Sequence, residues 1–547
     1  MVTLIPDLLR HACGTAPDRP ALTHKAETLS YRALWLAVER TARGLLGLGL
    51  GPGERVGVYL PKRMETVQAI FATAAAGGVF VPINPLLKPA QVAHILRDCN
   101  VRILVTSSDR AGLLTRDLHH CPDLRRVVLA DADPARGTGE GAGPEGADGG
   151  QDGPAGLPVS AVSWAGLGAS GDGPGEPAPH RRIDADMAAI LYTSGSTGQP
   201  KGVVLSHRNL IAGALSVAEY LENSPTDRIL AVLPFSFDYG LSQLTTAFCV
   251  GASVVLMDYL LPNDVVKAVA RYGITGLAAV PPLWIQLARL EWPEQARRTL
   301  RYITNSGGAM PRAVTQALRA QLPKTAVFLM YGLTEAFRST YLPPDQIDLR
   351  PDSMGKAIPN AEILVVREDG SHSAPGEPGE LVHRGALVAL GYWNDPERTA
   401  ERFRPAPGQP PGLPNPGLAV WSGDQVRRDR EGFLYFMGRK DEMIKTSGYR
   451  VSPTEVEEVI YASGLVAEVA AVGVAHPTLG QAIVAVAKAT GHDLEPRLLD
   501  WCRHELPAYM VPHRVLIEDS LPITPNGKID RRLLASRLQD LFMEATV

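Results

Sequence analysis

The sequence predicts an α/β protein: a large N-terminal domain of doubly wound sheets with a small β-subdomain, then a small mobile α+β C-terminal domain. Three observations predict it. Short apolar runs alternate with helical segments up to about Ala130 and again from Asp184, the pattern of parallel strands joined by helices. After about Asp352 the texture changes to short strands separated by Gly/Pro turns, as in the runs 361–366 and 379–383. Beyond Asp441 helix and strand alternate once more, over a length that can fold alone.

In chain order, a helix is expected from Leu4 to Cys13, a turn at Asp18-Arg19-Pro20, and a helix from Tyr31 to Leu48. Gly51-Pro52-Gly53 breaks the chain before the strand Val56–Leu60, and further strands follow at Val79–Ile83 and Ile103–Val105. Residues 131–173 differ, being Gly-rich with a brief apolar patch from Val159 to Trp164. So little apolar surface does not offset the entropy of ordering, so most of this insertion reads as a mobile surface loop, with a functional lid as the other reading. Strands resume at Ile229–Leu233, Ser253–Met257, Leu277–Val280, Tyr302–Thr304 and Ala326–Met330. The expected domains are therefore 1–440, the core, and 441–547, the lid.

Composition narrows the partners. The 547 residues carry 54 Lys and Arg against 58 Asp and Glu, a formal charge of −4, so no basic excess points to nucleic acid or to an anionic membrane. The five cysteines are scattered without metal-site or disulfide-framework spacing. The N-terminus lacks a basic segment followed by a long apolar one, and apolar runs such as 68–83 are broken by Thr and Gly short of a membrane span. The expectation is a soluble, cytoplasmic protein.

Chemistry concentrates first in Tyr192-Thr193-Ser194-Gly195-Ser196-Thr197-Gly198-Gln199-Pro200-Lys201-Gly202. An apolar run lies on each side, and Ser206 or Asn209 can cap a following helix. Glycines let backbone N–H groups converge on an anion. The hydroxyls of Thr193, Ser194, Ser196 and Thr197 add donors, and Lys201 adds a positive charge. That is a cradle for phosphate. It is not a Walker loop, which needs Gly-Lys-Ser/Thr opening a helix.

Further segments recur at strand ends or turns: Asn305-Ser306-Gly307-Gly308-Ala309, Tyr331-Gly332-Leu333-Thr334-Glu335, Trp421-Ser422-Gly423-Asp424, Gly438-Arg439-Lys440-Asp441 running on to Lys445, and Pro525-Asn526-Gly527-Lys528. Taken singly, each also fits a loop, a solvated charge run or a surface lysine. Together and in this order they resemble the adenylate-forming superfamily of acyl- and aryl-CoA synthetases, luciferases and nonribosomal peptide adenylation domains. The resemblance covers nearly the whole chain outside the Gly-rich insertion.

The resemblance implies ATP and Mg²⁺ as cofactors. Thr193, Ser194, Gly195, Ser196, Thr197, Gly198 and Lys201 would form the phosphate loop. Gly307, Gly308, Ala309, Tyr331 and Gly332 would hold the adenine, and Thr334 would touch phosphate. Glu335 would hold Mg²⁺, and Asp424 the ribose hydroxyls, with Arg439 close by. Phe436 and Lys445 would also belong to the nucleotide site. Asp441 would be the hinge, and Lys528 would bridge carboxylate, ribose and phosphate oxygens. Thr193, Lys201, Glu335 and Lys528 are thus the implied catalytic set.

The acid-binding segment runs Leu233-Pro234-Phe235-Ser236-Phe237-Asp238-Tyr239-Gly240. Phe-Asp at this point resembles amino-acid adenylation domains, where the Asp pairs with a substrate ammonium; a solvated loop aspartate is the other reading. The same matching places Tyr239, Ser242, Ala279, Thr304, Ser306, Met330, Arg338 and Ser339 around the acid. Arg338 reads either as an ion pair with Asp238 or Asp345 or as a clamp for a second substrate carboxylate, which guanidinium grips bidentately. The chain most resembles stand-alone β-amino-acid ligases of macrolactam polyketide pathways, which load an acyl carrier protein. An aspartate-type β-amino acid such as 3-methylaspartate is the expected substrate. A medium-chain acyl- or aryl-CoA ligase, or a non-catalytic nucleotide-binding homologue, are the alternatives.

Overall fold

The structure is a computed structural model that describes residues 2–132, 156–169, 178–193, 200–414, 416–439, 443–446, 449–477, 479–489, 491, 493–525 and 527–542. The chain divides into two compact units. The first comprises Met1–Tyr259, Thr334–Phe337 and Ala386–Glu401; the second comprises Leu260–Leu333, Arg338–Gly385 and Arg402–Val547.

In the first unit an eight-stranded sheet runs in the order Gly391–Tyr392, Lys201–Ser206, Met187–Thr193, Val79–Pro82, Arg55–Tyr59, Val101–Thr106, Arg126–Leu129 and Ser160–Ser163. The strands from 187 to 163 in that order are parallel, whereas Lys201–Ser206 pairs antiparallel with Met187–Thr193. The continuous apolar runs of the central strands are buried, as parallel strands require. A second group joins Arg228–Ala231, Ser253–Leu256 and Pro20–His24 in parallel and closes with antiparallel Glu27–Ser30. Helix Tyr31–Gly47 covers this group. Its Ser30 cap accepts from the Ala33 amide at 3.2 Å, and it buries Tyr31, Leu34, Val38, Ala42 and Leu45 at helical spacing.

In the second unit Gly276–Ala279, Tyr302–Asn305 and Ala326–Tyr331 are parallel neighbours. Thr340–Leu342 and Ser353–Ala357 continue antiparallel into a β-layer of Leu434–Arg439, Leu418–Arg428, Pro378–Gly385 and Ala361–Val366. This is the small β-subdomain expected after Asp352. Residues beyond 443 form their own sheet, Tyr449–Val451, Ile444–Thr446, Gly480–Lys488 and Glu468–His476, with Arg514–Ile517 parallel to Gly480–Lys488. Helices Pro453–Ala462 and Leu494–Glu505 close one face of that sheet over Val456, Ile460, Leu498 and Cys502.

Within the insertion assigned to 131–173, the apolar patch is ordered: Ser160–Ser163 is a sheet strand and Trp164–Ala169 a helix whose Leu167 is buried. Val162 and Ser163 pair with Val128 and Leu129, so cross-strand bonding rather than local hydrophobicity orders them. Residues 133–155 and 170–173 lie outside the described residues. The C-terminal segment belongs to the second compact unit, where Glu458 accepts the Arg312 amide at 2.8 Å. Among the described residues no helix is long and apolar enough to cross a membrane.

Candidate active site

The strands Met187–Thr193 and Lys201–Ser206, on either side of the segment expected to hold phosphate, pair antiparallel. Thr193 faces Lys201 in register, and Tyr192 faces Gly202. Ser194, Gly195, Ser196, Thr197, Gly198 and Gln199 lie outside the described residues, so the base of the loop carries the geometry. Gly202 is required by packing: a β-carbon there would lie 2.7 Å from Ile190 Cγ2. Ser206 caps helix His207–Tyr220 by accepting from the Asn209 amide at 3.2 Å, while Asn209 Oδ1 accepts the Ser206 amide at 2.8 Å.

Lys201 Nζ reaches Glu335 Oε1 at 3.0 Å and the Tyr392 hydroxyl at 2.7 Å, and Tyr392 in turn donates to Glu335 Oε1 at 2.6 Å. Glu335 is buried at 6 % exposure. Its backbone carbonyl accepts the Ala389 amide at 2.8 Å. The neighbouring Thr334 hydroxyl donates to Asp238 Oδ1 at 3.0 Å. The chain leaves this turn through Phe337, buried with φ +58°, whose ring occupies the space a β-carbon on Gly213 would need.

Asp238 is not a solvated loop residue. It is 3 % exposed and opens helix Asp238–Cys249, where the helix dipole favours an acidic first turn. Gly240 lets that turn close, since a β-carbon would sit 1.9 Å from the Pro234 carbonyl oxygen. Tyr239 packs edge-on to Phe237 at 6.2 Å, and Ser242 lies 3.3 Å from Thr246 Oγ1.

In the second unit the ends of the parallel strands bring Ala279, Thr304, Ser306, Met330 and Tyr331 to one edge, where open α/β sheets bind ligands. Trp284 Nε1 donates to the Ala279 and Thr304 carbonyls at 3.0 and 3.1 Å. Asn305 Nδ2 donates to the Gly308 carbonyl at 3.0 Å and folds the 305–308 turn, leaving Gly308 and Ala309 exposed. Tyr331 donates its hydroxyl to Asp424 Oδ2, and Arg439 Nε lies 3.2 Å from Asp424 Oδ1. Burial, then the Asp424 charge, holds the Tyr331 phenol well above its ordinary range. The Phe436 ring lies 6.3 Å from that of Tyr331, and Gly332 is half-buried beside it in sequence.

Lys528 stands over the 307–308 turn. A β-carbon on Gly307 would lie 3.1 Å from Lys528 Cε and 3.6 Å from Nζ. The Lys528 carbonyl accepts the Thr524 amide at 2.7 Å and its amide donates to Thr524 Oγ1 at 3.2 Å, closing the hairpin the Asn-Gly pair predicts. Gly307 has φ +83°. Gly307→Ala is therefore expected to cost about 1–2 kcal/mol in backbone strain and to push Lys528 aside. Melting temperature together with pyrophosphate exchange checks it, an unchanged exchange rate counting against this placement. Asp441, expected as the hinge, and the side chain of Lys445, expected in the nucleotide site, lie outside the described residues.

Arg338, 1 % exposed, donates from Nη1 to Ser306 Oγ at 2.7 Å. Asp345 is exposed and accepts from Gln346, so the Asp345 ion pair weighed for Arg338 does not form. Ser339, expected beside the acid, is buried with its hydroxyl 2.9 Å from His383 Nδ1. Burial lowers His383 to about 3 and His207 to about 4. The unfolded chain protonates both near pH 6.5 and the folded chain does not, so their contribution is complete above 6.5 and lost as pH falls toward those lower values. Each withdraws about 1.4 kcal/mol per pH unit in that window. A urea midpoint that stays flat between pH 7.5 and 5 overturns this.

Two contributors escaped sequence reasoning. Tyr392 sits in Gly391-Tyr392-Trp393, and His383 is one position in a strand; neither carries a local pattern that announces a role.

The donor set fits a magnesium nucleotide. Thr193 Oγ1 is buried and meets no partner among the described residues, as a hydroxyl awaiting an anionic oxygen would. Glu335 would supply one carboxylate to such a cation and phosphate oxygens the rest, since no cluster of three ligating side chains occurs among the described residues.

Comparison with known proteins agrees. A family described as AMP-binding enzyme matches residues 9–393, and its C-terminal domain matches residues 455–528. The long-chain-fatty-acid–CoA ligase of Escherichia coli O157:H7 is 30 % identical over 96 % of this chain and 93 % of its own length. A linear gramicidin synthase of Brevibacillus parabrevis is 28 % identical over 95 % of this chain, which spans 9 % of that relative's length. Among solved structures, ATP-bound MatB from Rhodopseudomonas palustris superposes with a TM-score of 0.82 at 25 % identity, covering 98 % of this chain and 99 % of that one. An o-succinylbenzoate CoA synthetase (MenE) from Bacillus subtilis, in complex with ATP and magnesium ion, does so at 0.78 and 25 %, covering 96 % and 98 %. The chain belongs to the AMP-binding enzyme family and is an AMP-forming ligase.

Proposed function

We propose that the protein activates an aspartate-type β-amino acid, such as 3-methylaspartate, at the carboxyl β to its amine, and passes it to the phosphopantetheine thiol of an acyl carrier protein. The observation that carries the reading is a buried carboxylate, Asp238, and a buried guanidinium, Arg338, on the two segments matched to the acid site. An aspartate-type β-amino acid carries an ammonium and a second carboxylate, opposite in charge to these two side chains and able to bond them.

In the first step a substrate carboxylate oxygen bonds to the α-phosphorus of ATP, the bond from that phosphorus to the β-phosphate oxygen breaks, and pyrophosphate leaves. Glu335 would hold the magnesium ion, which would neutralise phosphate charge when bound. Lys201 and Thr193 hold phosphate, Asp424 and Arg439 hold ribose, and the Lys528 ammonium draws the two anionic reactants together. In the second step the thiol sulfur attacks the acyl carbon and AMP departs. Residues 441–547 act as the lid, turning at Asp441 between the two steps.

ATP–pyrophosphate exchange over a panel of aspartates, neutral β-amino acids, fatty acids and aryl acids tests the reading. Exchange with the aspartates is expected; exchange with fatty acids alone overturns it. Identity to a fatty-acid–CoA ligase over 93 % of that enzyme supports the second reading, an acyl-CoA ligase. Offering CoA and a phosphopantetheinylated carrier to the same adenylate separates the two.

A further inference from the structure

The contacts around Glu335 contain a partner that no motif announces. Lysine only donates hydrogen bonds, so Lys201 Nζ must donate to the Tyr392 oxygen at 2.7 Å, and the tyrosine proton must then point to Glu335 Oε1 at 2.6 Å. The ammonium also lies 4.1 Å above the Tyr392 ring. Lysine, tyrosine and carboxylate close a three-membered ring of contacts whose charges are already balanced.

The backbone holds this ring in place from two directions. Tyr392 pairs with Val203, on the strand that starts at Lys201, and the Trp393 amide donates to the Gly202 carbonyl at 2.8 Å. Three residues earlier, Ala389 donates to the Glu335 carbonyl. Gly391, at φ +134°, allows the bend, since a β-carbon there would meet Thr399 Cγ2 at 2.7 Å. Residues 389–393 are therefore a brace between the phosphate-loop lysine and the metal carboxylate.

We propose that Lys201 and the divalent cation compete for Glu335, and that Tyr392 is the positioning residue that keeps the carboxylate in place while one replaces the other. Without nucleotide the ammonium neutralises Glu335; when phosphate arrives, the ammonium moves to it and the carboxylate is released to the metal. The Tyr392 hydroxyl stays bonded to Glu335 throughout, so its bond is common to both states. The inference rests on the roles of Lys201 and Glu335 taken under the proposed function.

The test uses the full-length protein and readouts other than turnover. Mn²⁺ binding without nucleotide, followed by electron paramagnetic resonance, is expected to tighten about tenfold in Lys201→Gln, because the competing cation is gone. Calorimetric ATP binding, with EDTA and then with Mg²⁺, is expected to show the Mg²⁺-dependent gain in affinity falling about tenfold in Tyr392→Phe. The phenylalanine keeps the ring under the ammonium, and a melting curve checks its fold. Should it not fold, the Lys201→Gln arm decides alone. Mn²⁺ binding no tighter in Lys201→Gln, or an unchanged Mg²⁺ gain in a folded Tyr392→Phe, overturns the proposal. Both measurements need no acid substrate, so failure of the exchange panel and failure of this inference are separate results.

Discussion

Lys528→Ala is expected to lower ATP–pyrophosphate exchange by about 10²–10³-fold, the usual cost of removing one group aimed at charge developing in a transition state. Thioester formation from preformed acyl-AMP is expected to change by only about threefold. The asymmetry follows from where the lysine stands. Its side chain lies against the Gly307 turn, at the end of a strand that carries the adenine-side residues, with its backbone fixed by Thr524. In the adenylation step two anions must approach, and the ammonium offsets their repulsion. Once pyrophosphate has left, the acceptor thiol attacks a mixed anhydride with far less charge to gather. Equal losses in the two half-reactions overturn the assignment of Lys528 to the first.

Arg338→Ala is expected to cost aspartate-type substrates about 10²–10³-fold in kcat/KM, matching the ~3–5 kcal/mol lost when one member of a buried charged pair is removed. Neutral β-amino acids are expected to lose little, and to gain relative to aspartates. The contrast between substrates matters because Arg338 is buried and bonded to Ser306, so its removal also loosens packing. A purely structural arginine would lower every substrate together. Exchange kinetics on the two substrate classes, with melting curves alongside, make the distinction; aspartate activity that survives the substitution sinks the clamp.

Alternation of apolar runs gave away the parallel strands, because strands buried on both faces are continuous in hydrophobicity. The strand at 160–163 was hidden in a Gly-rich stretch because its order comes from pairing with 126–129, a contact more than thirty residues away in sequence. At the site the same divide holds. Lys201, Glu335, Asp424 and Lys528 stood out because glycine turns bracket them in order along the chain. Tyr392 and His383 did not, since each matters only through a partner that folding brings from elsewhere: Lys201 lies 191 positions away from Tyr392, and Ser339 44 from His383. Asp238 was legible as an acid among aromatic neighbours, while its bond from the Thr334 hydroxyl and its place at the opening of a helix came only with folding.

Phe337 separates two neighbours that do different work. A non-glycine residue at φ +58° sits in a conformation costing roughly 1–3 kcal/mol, and its ring is wedged against Gly213. Glu335 before it is fastened by Ala389 and Tyr392, Arg338 after it by Ser306. Under the proposed function, the residue at 338 is the one open to exchange for a new diet, while Glu335 keeps its footing through bonds to Ala389 and Tyr392 that do not pass through 338.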